Sequence, residues 1–232
     1  MPNFTHLHVH SHYSLLDGLP KIEDLVASAK KHRFSALALT DHGAMYGAME
    51  FYSQAKEAGI KPIIGMEAYL AVDSLSDRRP KIDSDYYHLV LLAQNFEGYK
   101  NLMRLNTIGH LEGFYYHPRI DKPTLEKYSP HLIALSGCMR GDIPKALLSS
   151  DLARAKALVE DYKRIFGSNF YLEIQRHESR DPDFRRREET LNERLIVLAG
   201  ETNTPLVATN DSHYIDTHDA EAQDILLCVG LG

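Results

Sequence analysis

Tryptophan is absent from this 232-residue chain, and cysteine occurs only twice, at Cys138 and Cys228. Two thiols so far apart argue against the disulfide framework of a small secreted domain and for a reducing, cytosolic compartment. No apolar run approaches about 18 residues, and Met-Pro-Asn-Phe-Thr-His at the start carries neither a basic region nor an apolar core. Secretion and membrane partners are therefore not expected. Positive charge is also scarce: the net charge of −6 gives no general attraction for nucleic acid, so a phosphate-bearing partner must be drawn by a local field.

What is present is a large apolar content, 44%, with 25% charged residues, enough for one barrel-sized domain over residues 1–232. Apolar, β-branched segments at Phe4–Val9, Ala36–Leu39, Pro62–Ala71, His88–Ala93, Leu132–Leu135, Phe170–Ile174 and Leu206–Ala208 predict strands. Between them fall helical patterns: Ile22, Leu25, Val26 and Ala29 at one-face spacing, then Ala48–Ala58, Tyr99–Ile108, Leu152–Phe166 and Arg187–Ala199. Such alternation predicts an α/β fold with parallel strands and helical crossovers, closed into a barrel. Asp142-Ile143-Pro144 reads as a helix entry, Ser74–Asp85 as an exposed loop, and Ala220–Val229 as a helix running into Gly230-Leu-Gly232 without a polar ending. That ending suggests a fragment of something longer.

Histidines and acids gather where these strands end: His8-Val-His10, Asp17, Thr40-Asp41-His42, Gly65-Met-Glu67 and Asn210-Asp211-Ser-His213. Imidazole and carboxylate are ligands for divalent transition metals, and a His-x-His pair on an extended segment turns both rings to one side. Loops after parallel strands converge on one rim, so residues distant in sequence would share a pocket. The pattern predicts a metal-dependent hydrolase. His32, His110, His131 and His218 lie among charged neighbours and read as surface histidines.

The stretches His6-Leu-His-Val-His-Ser-His-Tyr-Ser-Leu-Leu-Asp-Gly18, Leu39-Thr-Asp-His-Gly43, Gly59-Ile-Lys-Pro-Ile-Ile-Gly-Met-Glu-Ala-Tyr69, His88-Leu-Val-Leu-Leu-Ala93, Leu135-Ser-Gly-Cys138 and Val207-Ala-Thr-Asn-Asp-Ser-His213 carry a resemblance to a known family. They resemble the polymerase and histidinol phosphatase (PHP) domain, in the form found at the N-terminus of bacterial DNA polymerase III alpha subunits. The resemblance implies a distorted seven-stranded parallel (β/α) barrel with up to three divalent ions, zinc, manganese or iron, at its rim. Carried over by position, the metal ligands would be His8, His10, Asp17, His42, Glu67, His88, Cys138, Asp211 and His213. One ion would lie among His8, His10, Glu67 and Asp211, a second among Glu67, His88 and Cys138, and a third among Asp17, His42 and His213. The roles of His88 and Cys138 rest on this resemblance alone.

The implied activity is metal-dependent phosphoester hydrolysis, expressed as 3′ to 5′ exonuclease proofreading in a DNA-directed DNA polymerase, with Asp211, Glu67, His8 and His10 catalytic. Its partners would be DNA 3′ ends, the remainder of the alpha subunit and other replicase subunits. Three divalent ions outweigh three carboxylates and one thiolate, so the pocket would attract phosphate despite the acidic chain. Two alternatives stay open: a small-molecule phosphatase of the histidinol-phosphate type, or a pyrophosphatase, and a metal-stabilised scaffold for a proofreading subunit. His6, His12, Asp41, Gln175 and His177 are candidates to support the ligands or face the pocket, and Arg119, Arg140 and Arg176 are candidates for phosphate contacts.

Overall fold

A computed structural model describes residues 4–179 and 181–231. In chain order its elements are α1 (Ile22–Lys31), β1 (Ala36–Leu39), α2 (Ala48–Glu57), β2 (Lys61–Ala71), β3 (Tyr86–Ala93), α3 (Phe96–Leu111), β4 (Phe114–Tyr115), β5 (His117–Ile120), α4 (Lys122–Tyr128), β6 (Leu132–Leu135), α5 (Asp142–Leu148), α6 (Leu152–Phe166), β7 (Phe170–Gln175), α7 (Pro182–Thr202), β8 (Leu206–Thr209) and α8 (Ala220–Leu231). The strands form one curled sheet in the order β4-β5-β2-β3-β6-β7-β8, with β1 parallel to β2. This is the expected distorted barrel, and among the described residues no helix is long and apolar enough to cross a membrane.

Strand alternation separates two interiors. Met66, Ala68 and Leu70 of β2, Leu89 and Leu91 of β3, Leu132 and Ala134 of β6, and Phe170 and Leu172 of β7 pack outward against α3, α5, α6 and α7 in the largest apolar cluster. The intervening residues turn inward. Ala38, Val90, Leu92 and Leu135 fill the barrel as a small cluster of their own, and Glu67, Tyr69, His88, Glu173 and Gln175 share that inner side by period-two spacing. A third cluster joins α1 and α2 to β1, with Ile22, Leu25, Val26 and Ala29 buried as their spacing predicts.

Three corrections carry physical reasons. The first predicted strand is extended but unladdered: Phe4–Val9 contributes one bridge, Val9 to Ser212, and single bonds from Ala38 N to His6 O and Thr40 N to Val9 O. Second, β3 runs antiparallel to both β2 and β6. Residues 72–85 between β2 and β3 contain no helix, and without a helical crossover two neighbouring strands join as a hairpin. Third, the sequence reading missed the β4–β5 hairpin and α4. Asp121 caps α4 by accepting from Thr124 N at 3.0 Å, and Pro123 stands in its first turn, a start signal that was legible. Asp142 does open α5, although it is the first helical residue and Gly141 holds the cap position.

Candidate metal centre

Because β1 ends at Leu39 while its neighbour β2 continues, the Thr40-Asp41-His42 turn lies alongside Glu67, and the two are joined by a parallel bridge from His42. Gly43 follows at φ +54°, donating its N–H to Glu67 O at 2.8 Å; a side chain there would strike the Tyr69 ring. Gly137 makes the equivalent turn after β6 at φ +76°, where a Cβ would lie 2.8 Å from the His88 carbonyl. Asp211 takes the left-handed conformation at φ +49°, which aspartate adopts more readily than most residues.

These turns bring all nine predicted ligands into one contiguous cluster. Glu67 is its hub, with its two oxygens 3.4 Å from His8 Nε2, 3.4 Å from His10 Nε2, 2.6 Å from His42 Nδ1 and 2.7 Å from His88 Nδ1. Asp211 Oδ1 lies 3.2 Å from both His8 Nε2 and His10 Nε2. Asp17 reaches His42 at 2.9 Å and His213 at 3.6 Å, and Cys138 Sγ is 3.7 Å from His88 Nδ1. His8, His10 and Glu67 are fully buried, whereas the Asp17 side chain is 31% exposed, so the pocket opens on the Asp17 and His213 side.

Two carboxylates of the cluster are held ionised by the imidazoles around them. Burial opposes charge on Glu67, but His88, His8 and His42 around it more than reverse this and hold it ionised, well below the usual carboxylate range. Asp211 behaves likewise: burial would raise it, and His8, with His10 and His213, brings it down. Burial together with His42 and His213 keeps His10 neutral, which leaves its Nε2 lone pair free. Burial disfavours charge on His42, yet Glu67 and Asp17 raise it to about 10. Burial pushes the Cys138 thiol up.

Seven atoms of this cluster, His8 Nε2, His10 Nε2, His42 Nδ1, His88 Nε2, both Glu67 oxygens and Asp211 Oδ1, are buried without a hydrogen-bond partner. Buried polar atoms left unpaired cost free energy, and so many of them gathered in one cluster fit bound cations. His8, His10 and Asp211, then His42, Glu67 and His88, then His10, His42 and His213, each place one ligand atom within 4.8 Å of the others. Nitrogen, oxygen and sulfur together suit a divalent transition metal.

Around the ligands sits a polar shell that the sequence reading mostly missed. His8 Nδ1 donates to Glu173 Oε1 at 2.8 Å, and the same carboxylate accepts from Thr209 Oγ1, Gln175 Nε2 and Gly137 N. Ser14 Oγ bonds His10 Nδ1 at 2.9 Å and donates to Asp41 at 2.7 Å, so the predicted role of Asp41 in orienting a ligand is exerted through Ser14. Gln175 reaches the site, whereas His177 bonds Glu188 and the Asn210 carbonyl, supporting the Asp211 turn from behind. His6 packs on Phe4 and Phe34, and His12 on Tyr13, and among the described residues neither side chain is hydrogen-bonded to a predicted ligand. His110 is half-buried, not a surface residue, and bonds the Gly43 carbonyl at 3.0 Å. Arg119 is excluded as a phosphate contact: it is fully buried and donates to the Gly113, Asp83, Leu75 and Asp77 carbonyls.

Residues 6–177 match the family model for the PHP domain. The chain belongs to the PHP domain family. Among its relatives, the DNA polymerase III subunit alpha of Borreliella burgdorferi is 52% identical over 230 residues, covering 99% of this chain and 20% of that protein. The corresponding subunit of Thermus aquaticus is 44% identical, covering 97% of this chain and 18% of that protein. This PHP domain therefore spans about a fifth of the length of the curated relatives it matches. Its fold is shared with an amidohydrolase from Chromobacterium violaceum, bound to sulfate without metal (TM-score 0.56, 14% identity, 96% of both chains). A Bifidobacterium adolescentis protein assigned as a metal-dependent phosphoesterase also shares it (TM-score 0.54, 13% identity, 97% of both chains).

Proposed function

We propose that residues 1–232 are the PHP domain of a DNA polymerase III alpha subunit and that the pocket is a metal-dependent phosphodiesterase acting at DNA 3′ ends, a 3′ to 5′ exonuclease. The observation that carries this reading is the set of buried imidazoles and carboxylates, His8, His10, His42, Glu67, His88 and Asp211, that converge beneath an open mouth. His8, His10, Glu67 and Asp211 would hold one ion, Glu67, His88 and Cys138 a second, and Asp17, His42 and His213 a third. When bound, such ions supply Lewis acidity and positive charge to a phosphoester. The protein's own share is to keep His10 neutral and Glu67 and Asp211 ionised, to fix the His8 ring through Glu173, and to exclude water from the floor of the pocket. The more exposed Asp17 and His213 mark the side on which a strand end enters. The names of the sequence relatives support DNA as substrate, and the remainder of the alpha subunit and other replicase subunits as partners.

The test is an end-labelled oligonucleotide, single-stranded or with a 3′ mismatch, incubated with the zinc- or manganese-loaded protein. The expected product is a ladder of shortened strands with released nucleoside monophosphates, faster from frayed than from paired ends because a paired end must first open. Rapid turnover of histidinol phosphate or pyrophosphate with intact DNA would establish the small-molecule reading instead. Tight metal binding with no hydrolysis of any of these would establish the scaffold.

A further inference from the structure

Beside the ligands, on the inner side of β2 and β3, lies a second group of side chains. Tyr69, Tyr86 and His117 form a packed triangle, with ring centroids 4.7 Å (Tyr69–Tyr86), 5.0 Å (Tyr69–His117) and 4.4 Å (Tyr86–His117) apart. The triangle adjoins the metal centre, since Tyr86 stacks on His88 at an interplanar angle of 7° and His88 contacts Glu67 at 2.7 Å. Arg140, just past Cys138, lies 4.9 Å over the Tyr86 ring and donates from Nη2 to its hydroxyl at 3.1 Å.

What these groups lack is an acceptor of matching charge. Arg140 is exposed and makes no ion pair among the described residues, and neither the Tyr69 hydroxyl nor the His117 imidazole has a hydrogen bond among them. The other arginines of this region are taken: Arg79 pairs with Asp73 and Asp83, and Arg119 is spent on carbonyls. Asp85, which precedes Tyr86, is already bound by Lys145 at 3.1 Å. A guanidinium held in place by a ring and a hydroxyl, yet left without a carboxylate, is suited to a phosphate oxyanion.

We propose that Arg140, with the Tyr69 hydroxyl and the His117 imidazole, binds a second backbone phosphate of the substrate, next to the one at the metal centre. Such a subsite selects a phosphodiester chain over a phosphate monoester. The proposal rests on the reading of the pocket as a site for DNA 3′ ends.

The test measures binding by fluorescence anisotropy. The zinc-loaded protein is titrated into a labelled oligothymidylate whose 3′-terminal linkages are phosphorothioates, at several potassium chloride concentrations. Arg140→Gln should weaken binding on the order of 10-fold and lower the slope of log affinity against log salt by about 0.7, the share of one phosphate contact on a single strand. Arg140→Lys should restore the slope while recovering only part of the affinity, because a point charge replaces the fork. Melting temperature confirms that both variants are folded. Affinity and slope unchanged in Arg140→Gln, or no binding by the parent, overturn the subsite. Hydrolysis of an unmodified strand is read separately: a parent that binds through Arg140 but never cleaves keeps the subsite and loses the hydrolase reading.

Discussion

Glu173 Oε1 accepts a hydrogen bond from His8 Nδ1 at 2.8 Å across 165 positions of sequence, and both side chains are fully buried. The bond fixes the proton on Nδ1 and turns Nε2 toward Glu67 and Asp211. A carboxylate behind a metal-facing imidazole raises its basicity and sets its orientation. Glu173→Gln, nearly isosteric, places an amide where four donors now converge. Zinc affinity, measured by competition with a fluorescent chelator, is expected to fall by about 10–100-fold. An unchanged affinity would make Glu173 a purely structural residue.

Asp211→Asn removes one negative charge from the cluster while leaving the apolar strands untouched. We expect at least one ion to be lost in elemental analysis and hydrolysis to fall by at least about 100-fold, beyond the effect of losing a residue behind a ligand. His32→Ala, exposed at the end of α1, is the matched control and should keep parental rate, metal content and melting temperature. Chelation of the parent should lower its melting temperature, because the binding free energy of the ions is then withdrawn from the folded state. Full activity in Asp211→Asn would remove this residue from the mechanism.

The loop of residues 72–85 is held by charge. Asp83 accepts from Arg79 at 2.8 and 2.7 Å and from the Arg79 backbone, and this pairing lowers its carboxyl to about 2 from an ordinary value of 3.8. A depressed folded-state pKa means that the stabilisation is complete above the ordinary value and is lost as pH falls toward 2. Protection of residues 73–85, taken relative to the intrinsic exchange rate at each pH, should therefore be high near neutrality and fall below about pH 4, and Asp83→Asn should be weakly protected at every pH. A loop equally protected at pH 2 and pH 7 would contradict this.

The legible part of the site was the part written as short motifs at strand ends: His-x-His, Thr-Asp-His and Asn-Asp-Ser-His each announce a ligand by type and position. Glu173 carried a weaker signal. In Phe-Tyr-Leu-Glu-Ile-Gln, Glu173 and Gln175 share one side of β7 with Tyr171, and polar residues alternating along a strand ordinarily mark its solvent side. Here that side is the barrel interior, a fact of closure that no local pattern contains. Arg119 was misread for a related reason: arginine is rarely buried, and only the fold reveals four carbonyls waiting for its donors. The direction of β3 was available, since Ser74–Asp85 reads as a loop, and a loop that short of helix cannot carry a parallel crossover.

The reversed course of β3 changes where an engineer should look. In barrels of uniform direction, diversity is introduced into the segments that follow strands, because those segments carry function. In this protein His88 lies near the start of β3, with Tyr86 opening the strand, and both reach the rim because the chain enters there instead of leaving. A library confined to the downstream loops would never sample them. Variation aimed at residues 85–88 as well as the downstream turns would cover the full circumference of the pocket.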